Sequence, residues 1–384
     1  MKRKLNILKG DIALWVIFFL LSCISLVAVY ITFETPSKDS MDLLVNRNFL
    51  RHLAFVVISY AALIFISNLN HRIFSKISVW LLLLSIGLLI YIRITGNLRW
   101  VKIGDSFQFQ PSELAKLALV LFLVRSIVHL RDKLEEKSTL YLLMVPVAIV
   151  CALVFKGSNS STILILVTSY LVLFFGNVCP RLWWKGFILI VLLLLGMLSI
   201  FYFYGDKIDI GRSGTGSSRL QTWLNPDPDK LTQENMARMA IARGGFFGRG
   251  IGTTVHGRLM EESHNDFIFS VIIEERGLLA GLLIFFLYAW FYFRCIRIAS
   301  RCKGLFGSLL VASLGTSIFL QAIANMAVNV GLFPVTGQTL PFISYGGTAY
   351  LSTACAFGII QAVAHDNKRQ AKLMKAADSC NAEP

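Results

Sequence analysis

Long, unbroken apolar blocks dominate the chain, with Ile12 to Phe33 and Val79 to Ile92 as examples. At 1.5 Å per residue, each is about as long as the hydrocarbon core of a bilayer requires. The pattern predicts about ten membrane-spanning helices, near residues 12–33, 49–67, 77–95, 112–130, 139–155, 161–178, 183–204, 267–293, 307–332 and 346–364. An even number of spans puts both termini on one side. Basic residues choose that side: Lys2, Arg3, Lys4 and Lys9, then Arg131, Lys133 and Lys137, then Arg294, Arg297, Arg301 and Lys303 all fall at ends that would be cytoplasmic. The expected fold class is an all-α polytopic membrane protein, one unit over residues 1–384. It would carry one large extracytoplasmic loop at 205–265 and a short cytoplasmic tail at 365–384.

Composition narrows the function. Of the residues, 55% are hydrophobic and 15% charged, with a net charge of +15, which is too few charges for an ordinary water-soluble domain. The positive excess is what orientation and anionic lipid demand of a membrane protein, so nucleic acid is not an expected partner. Seven cysteines lie mostly in apolar blocks without a CxxC pair and suggest neither a disulfide framework nor a zinc site. The basic N-terminus precedes a run too long for a signal peptide, and is expected to lead into the first span. No internal repeat relates the two halves, which weighs against an inverted-repeat transporter.

Ionisable residues inside spans are costly and are therefore the first candidates for chemistry. Glu113 and Lys116 are three residues apart and share one helical face, either as a structural ion pair or as a wall contacting an anionic substrate. Asp266 precedes the span near 267–293; it is either a helix N-cap or a general base at a membrane-edge vestibule. Glu274, Glu275 and Arg276 follow, as cavity acids or as a helix pair with the arginine. Gln321, Asn325 and Asn329 recur every four residues as a polar stripe, a pattern that serves as interhelical glue or as a binding face. The stretch Gly244 to Gly252 is glycine-dense but lacks the lysine and strand-helix context of a phosphate-binding loop. It is expected to be a tight-turn scaffold or, more weakly, an anion cradle. Arg243 and Arg249 beside it are candidates for clamping a pyrophosphate. The two prolines and paired glycines between Gly331 and Thr348 predict a re-entrant or tightly turned segment.

Three segments together resemble the SEDS family, the integral-membrane peptidoglycan polymerases of division (FtsW) and elongation (RodA). They are Arg99-Trp100 with Gln110-Pro111-Ser112-Glu113 and Lys116; His264-Asn265-Asp266-Phe267-Ile268-Phe269 with Glu274, Glu275 and Gly277; and Leu340-Pro341 through Ser344-Tyr345-Gly346-Gly347. The loop landmarks from Arg219 to Pro226 and Gly244-Gly245 agree, and the likeness covers essentially the whole chain. The segments at 240–245 and 334–341 look more FtsW-like than RodA-like. The chain departs from the family where Asn159 replaces an acid, where Glu261 replaces a proline and where Asn265 replaces a threonine.

The resemblance implies a substrate, lipid II, and a reaction: inverting glycosyl transfer that extends a glycan strand and releases undecaprenyl pyrophosphate in septal wall synthesis. It assigns the catalytic base to Asp266 and implies substrate contacts by Glu113, Lys116, Arg243, Arg249, His264 and Ser344. A divalent cation, Mg or Mn, held by Asp266 and Glu113 is an expectation; a nucleotide is not. The implied partners are a class B penicillin-binding protein, which is a transpeptidase, and other divisome or elongasome membrane proteins. The implied location is the bacterial cytoplasmic (inner) membrane. Competing classes are a flippase or transporter of lipid-linked precursors, a RodA-like elongation polymerase, and a non-catalytic scaffold for the transpeptidase.

Overall fold

The computed structural model describes residues 9–33, 47–96, 101–103, 107–155, 157–180, 232–250, 252–260 and 262–381, with isolated positions between 184 and 224. The elements are α1 (Ile12–Phe33), α2 (Arg47–Ser67), α3 (Arg72–Ile94), a hairpin of β1 (Val101–Ile103) and β2 (Phe107–Phe109), α4 (Pro111–His129), α5 (Lys137–Phe155), α6 (Asn159–Phe175), α7 (Gln233–Gly244), α8 (His256–Leu259), α9 (Ile268–Ser300), α10 (Leu305–Asn329) and α11 (Gly347–Asn381). Seven of these, α1, α2, α3, α5, α9, α10 and α11, contain stretches long and apolar enough to cross a membrane. The span expected at 183–204, like most of the long loop up to residue 231, lies outside the described residues.

Two helices fall short of that measure for different reasons. α6 has only 17 residues. α4 carries Glu113, Lys116 and Arg125, and charge inside a bilayer needs protein around it. Nearly every residue of its first three turns is buried, and the helix packs against α3, α5, α6, α10 and α11. Its start is set by Pro111, whose missing N–H costs nothing in the first turn.

Two details add to the expected fold. The fold is nearly but not wholly helical: Val101 pairs with Phe109 and Ile103 with Phe107 in an antiparallel register. The expected tail after residue 364 is helical, because α11 continues unbroken to Asn381.

The basic end of the bundle is knit by Asp11. Its carboxylate accepts from the backbone of Ala13 at 2.9 Å, capping α1, and pairs with Arg294 on α9. The Gln361 side chain of α11 grips the Asp11 backbone twice, at 2.7 and 3.0 Å. Midway, Phe18 is enclosed by the rings of Tyr60, Phe342, Tyr350 and Phe357. That cluster pins the segment after α10 against α1 and α11, and it holds Phe342 at φ 64°, a left-handed conformation that a bulky residue adopts only when its surroundings enforce it.

Candidate active site

Asp266 lies at the end of the bundle opposite Asp11, in a turn in which the amides of Asn265, Asp266 and Phe267 all donate to the Glu262 carbonyl. The helix cap is Phe267, which offers no capping side chain, so Asp266 stands one residue outside α9 and is not its N-cap. The residue is half-buried.

Its backbone is fixed from α10. The side-chain amides of Asn325 and Asn329 each donate to the Asp266 carbonyl at 2.8 Å. Asn325 donates also to the Gln338 carbonyl at 2.7 Å, and the Asn329 side-chain oxygen accepts from the backbone and hydroxyl of Ser270 at 3.1 and 2.7 Å. A four-residue repeat stacks side chains along one helical face. Here that face carries the hydrogen bonds that locate the acid.

Farther along the stripe, the Gln321 oxygen accepts from Lys116 Nζ at 2.9 Å, and its amide donates to the Thr339 carbonyl at 3.1 Å. Lys116 also pairs with Glu113 at 2.8 Å, both side chains being buried. Within the bilayer such a pair is sustained by mutual attraction plus further hydrogen bonds, and Gln321 supplies one. The polar stripe therefore links the segments holding Glu113, Asp266 and Gln338.

The 338–345 segment completes the frame. Gln338 donates to Ser161 at 2.8 Å, and Ser160 bonds the Thr336 carbonyl. Ser158 caps α6 by accepting from the Ser161 amide, and the departing residue Asn159 occupies the first helical position. Ser344 donates to the Asn265 carbonyl at 2.6 Å and accepts from the Leu340 amide at 2.7 Å, and Tyr345 N bonds the His264 carbonyl at 2.9 Å. Ser344 is buried and acts on the backbone beside the acid, so it positions that turn instead of presenting its hydroxyl to a ligand.

His264 packs between Phe33 and Tyr345, with ring centroids 5.0 and 5.5 Å away, and burial pushes its imidazole pKa down although Glu262 pulls it up. A brace behind Tyr345 went unnoticed in the sequence. Ser25 donates to the Ile343 carbonyl at 2.9 Å, so its oxygen accepts from His52 Nε2 at 2.8 Å. A buried histidine within an apolar span was the available signal.

The glycine-dense segment is neither a phosphate loop nor an anion cradle. Inside α9, Gly277 breaks the helix at φ 80°, ψ 174°. Into that break docks the 245–250 backbone: Leu278 N donates to Gly245 O at 2.8 Å, Arg249 N to Glu274 O at 3.2 Å and Gly250 N to Glu275 O at 3.0 Å. A Cβ at Gly248 would meet Glu275 O at 2.1 Å, and one at Gly277 would meet Phe246 O at 2.2 Å. The glycines allow two main chains to touch, and the amides of Arg249 and Gly250 are taken by the helix.

Glu274 locks this clasp. Fully buried, it accepts from Thr254 at 2.6 Å, from the amides of Val255, His256 and Gly257 at 3.0, 3.2 and 3.1 Å, and from Arg243 at 3.2 Å. Neither the pairing with Arg276 nor a cavity-lining role for Glu274 is seen. Arg243 is tied to Glu274 and is not an open pyrophosphate clamp. Arg249 is exposed, with Nε donating to the Arg243 carbonyl at 3.0 Å. Among the described residues no three His, Cys, Asp or Glu side chains converge as a metal cage, and Glu113 is already bound to Lys116. Such a donor set does not fit a resident cation shared by Asp266 and Glu113.

The family model described as "Cell cycle protein", for FtsW, RodA and SpoVE, matches residues 11–369. A probable peptidoglycan glycosyltransferase FtsW of Trichlorobacter lovleyi is 30% identical over 323 residues, covering 81% of each chain. Stage V sporulation protein E of Bacillus subtilis is 29% identical over 370 residues, covering 91% of this chain and 95% of its own. Among solved structures, a chain from a peptidoglycan synthase complex superposes with a TM-score of 0.71 at 22% identity, over 93% of this chain and 98% of that one.

Proposed function

The chain belongs to the FtsW/RodA/SpoVE family, and we infer from that membership and from the geometry around Asp266 that it is a peptidoglycan glycosyltransferase polymerising lipid II. The relatives that carry the FtsW name favour division as its setting. The observation that carries the assignment is the double clamp of Asn325 and Asn329 on the Asp266 carbonyl, which fixes the acid where three motif segments meet.

In the reaction, a hydroxyl of the acceptor sugar attacks the anomeric carbon of the donor. The new glycosidic bond forms as the bond to undecaprenyl pyrophosphate breaks on the opposite face. Asp266 takes the hydroxyl proton, a contribution of about 10²–10⁴-fold for a positioned base. The clamp on its main-chain oxygen fixes the turn from which it would act. Negative charge gathering on the departing pyrophosphate needs a cation. Arg249, exposed on the clasp, is the protein group proposed for that task, while Lys116 stays in its buried network with Glu113 and Gln321. A divalent cation, Mg or Mn, would arrive with the pyrophosphate, since magnesium is commonly bound by one or two carboxylates plus substrate phosphate.

The chain is a membrane protein; its basic end, with Lys9, Arg294 and Lys368, is assigned to the cytoplasm of an inner membrane by the distribution of Lys and Arg. A class B penicillin-binding protein is the proposed partner. The deciding experiment gives purified lipid II to the purified chain, with and without that transpeptidase. Glycan polymer is expected. Lipid translocation across vesicles with no new glycosidic bond in either mixture would replace this assignment with a flippase.

A further inference from the structure

α9 is 33 residues long, about 50 Å, well beyond the hydrocarbon thickness of roughly 30 Å. Its break at Gly277 leaves residues 278–300 below, about 35 Å, which is enough to cross alone. Beside the break, Phe246 and Phe247 of the docked loop are 67% and 84% exposed. Exposed phenylalanines so placed would dip into the boundary between headgroups and acyl chains. The break therefore marks the outer edge of the hydrocarbon.

Immediately above it stands Arg276, exposed and without an acidic partner among the described residues. Its apolar stem helps to line a cleft between α1 and α9 of about 240 Å³, with Val27, Ala28 and Ile31 on one side and Ile272, Ala280 and Ile284 on the other. Apart from Arg276 the walls are apolar, Cys23 included. The cleft thus sets an exposed cation beside an apolar slot between two spans. A helix, 10–12 Å across with its side chains, does not enter a slot of that size; a single hydrocarbon chain does. One guanidinium complements the single negative charge of a phosphodiester, whereas a pyrophosphate would demand more.

We propose that the α1/α9 cleft is a binding site for an anionic glycerophospholipid, with the phosphodiester on Arg276 and one acyl chain between the two helices. This site is separate from Asp266 and does not depend on the activity assigned to it. Guanidinium suits phosphate through paired N–H donors, and loss of one arginine at a charged headgroup costs roughly fivefold in occupancy.

The test uses the full-length protein in mixed micelles with equal phosphatidylglycerol and phosphatidylcholine, with native mass spectrometry counting the lipid that remains bound. Wild type is expected to retain one phosphatidylglycerol in preference to phosphatidylcholine. Arg276→Gln is expected to lose that preference roughly fivefold, and Arg276→Lys to keep part of it. Ala280→Trp, which fills the slot and leaves the charge, is expected to lower retention of both lipids. Thermal unfolding of each variant at the wild-type midpoint shows that the fold is intact. Equal phosphatidylglycerol retention by wild type and Arg276→Gln overturns the proposal. So does a result in which Arg276→Gln leaves lipid untouched but weakens binding of the transpeptidase, which would give the arginine to a protein partner.

Discussion

The Asn325 side chain holds Asp266 by its main-chain oxygen, at 2.8 Å, and not by its carboxylate. Asn329 does the same from one turn farther along α10. The proposed base is therefore located through its backbone. Location and reactivity of the acid are thus separable by mutation.

Asp266→Asn preserves both amide bonds and the turn on Glu262, so the variant is expected to fold. Polymerisation of lipid II by this variant should fall by at least about 10²-fold. Gel analysis of glycan products, set beside a melting curve, checks both halves. Wild-type turnover would remove the general-base role.

Asn325→Ala strips a donor from two carbonyls, leaving that of Asp266 to Asn329 alone and that of Gln338, which is buried, without this partner. Leaving such groups unsatisfied costs about 1–3 kcal/mol. Because the acid's position suffers more than the substrate's contacts, kcat should drop about tenfold or more with little change in KM. Steady-state kinetics on the variant test this.

Lys116→Met leaves Glu113 buried without its cation, a loss of about 3–5 kcal/mol, and should cut the yield of folded protein. The double variant Glu113→Gln with Lys116→Met removes both charges and should recover it. Size-exclusion profiles measure the fold. If the recovered protein polymerises at the wild-type rate, the pair is a purely structural one.

Gly248→Ala and Gly250→Ala separate contact from conformation. Both glycines have positive φ, but a Cβ at Gly250 meets only Thr253 Cγ2, at 3.8 Å, whereas at Gly248 it meets the Glu275 carbonyl at 2.1 Å. A left-handed alanine alone costs about 1–2 kcal/mol. Gly250→Ala should show that much in thermal unfolding, and Gly248→Ala clearly more, with the clasp opened to proteolysis between α7 and α8.

Acid should weaken the outer end of the bundle through His264. Its folded-state pKa lies below the ordinary 6.5, so as pH falls below about 6.5 the unfolded chain takes up a proton that the folded one resists. Stability is full above that pH and declines beneath it. His264→Gln should flatten this part of a melting-temperature profile measured from pH 7.5 to 5.

How much was legible depends on whether a signal is local. The apolar blocks gave the helices, since length and hydropathy act within each segment. The four-residue spacing of Gln321, Asn325 and Asn329 disclosed a stripe, but its targets at Asp266, Gln338 and Lys116 come from other parts of the chain, and no periodicity names them. Glycine density between Gly244 and Gly252 announced an unusual backbone. What it docks against was hidden, because Gly277 sits in a run that otherwise resembles an ordinary span. Ser344 was visible as a polar residue in a motif, and its turn inward to the Asn265 carbonyl required coordinates. The hairpin at 101–109 was masked by the short length of its strands.

The interruption at Gly277 makes α9 a jointed rod. Sideways pressure on the lower segment from a neighbouring protein in the bilayer reaches the upper one mainly through the Gly245 and Phe246 carbonyls and the buried Glu274 lock, because no helical ladder runs through the joint. The docked 245–250 loop is thereby the coupling between whatever leans on the membrane portion and the orientation of the acid about three turns away.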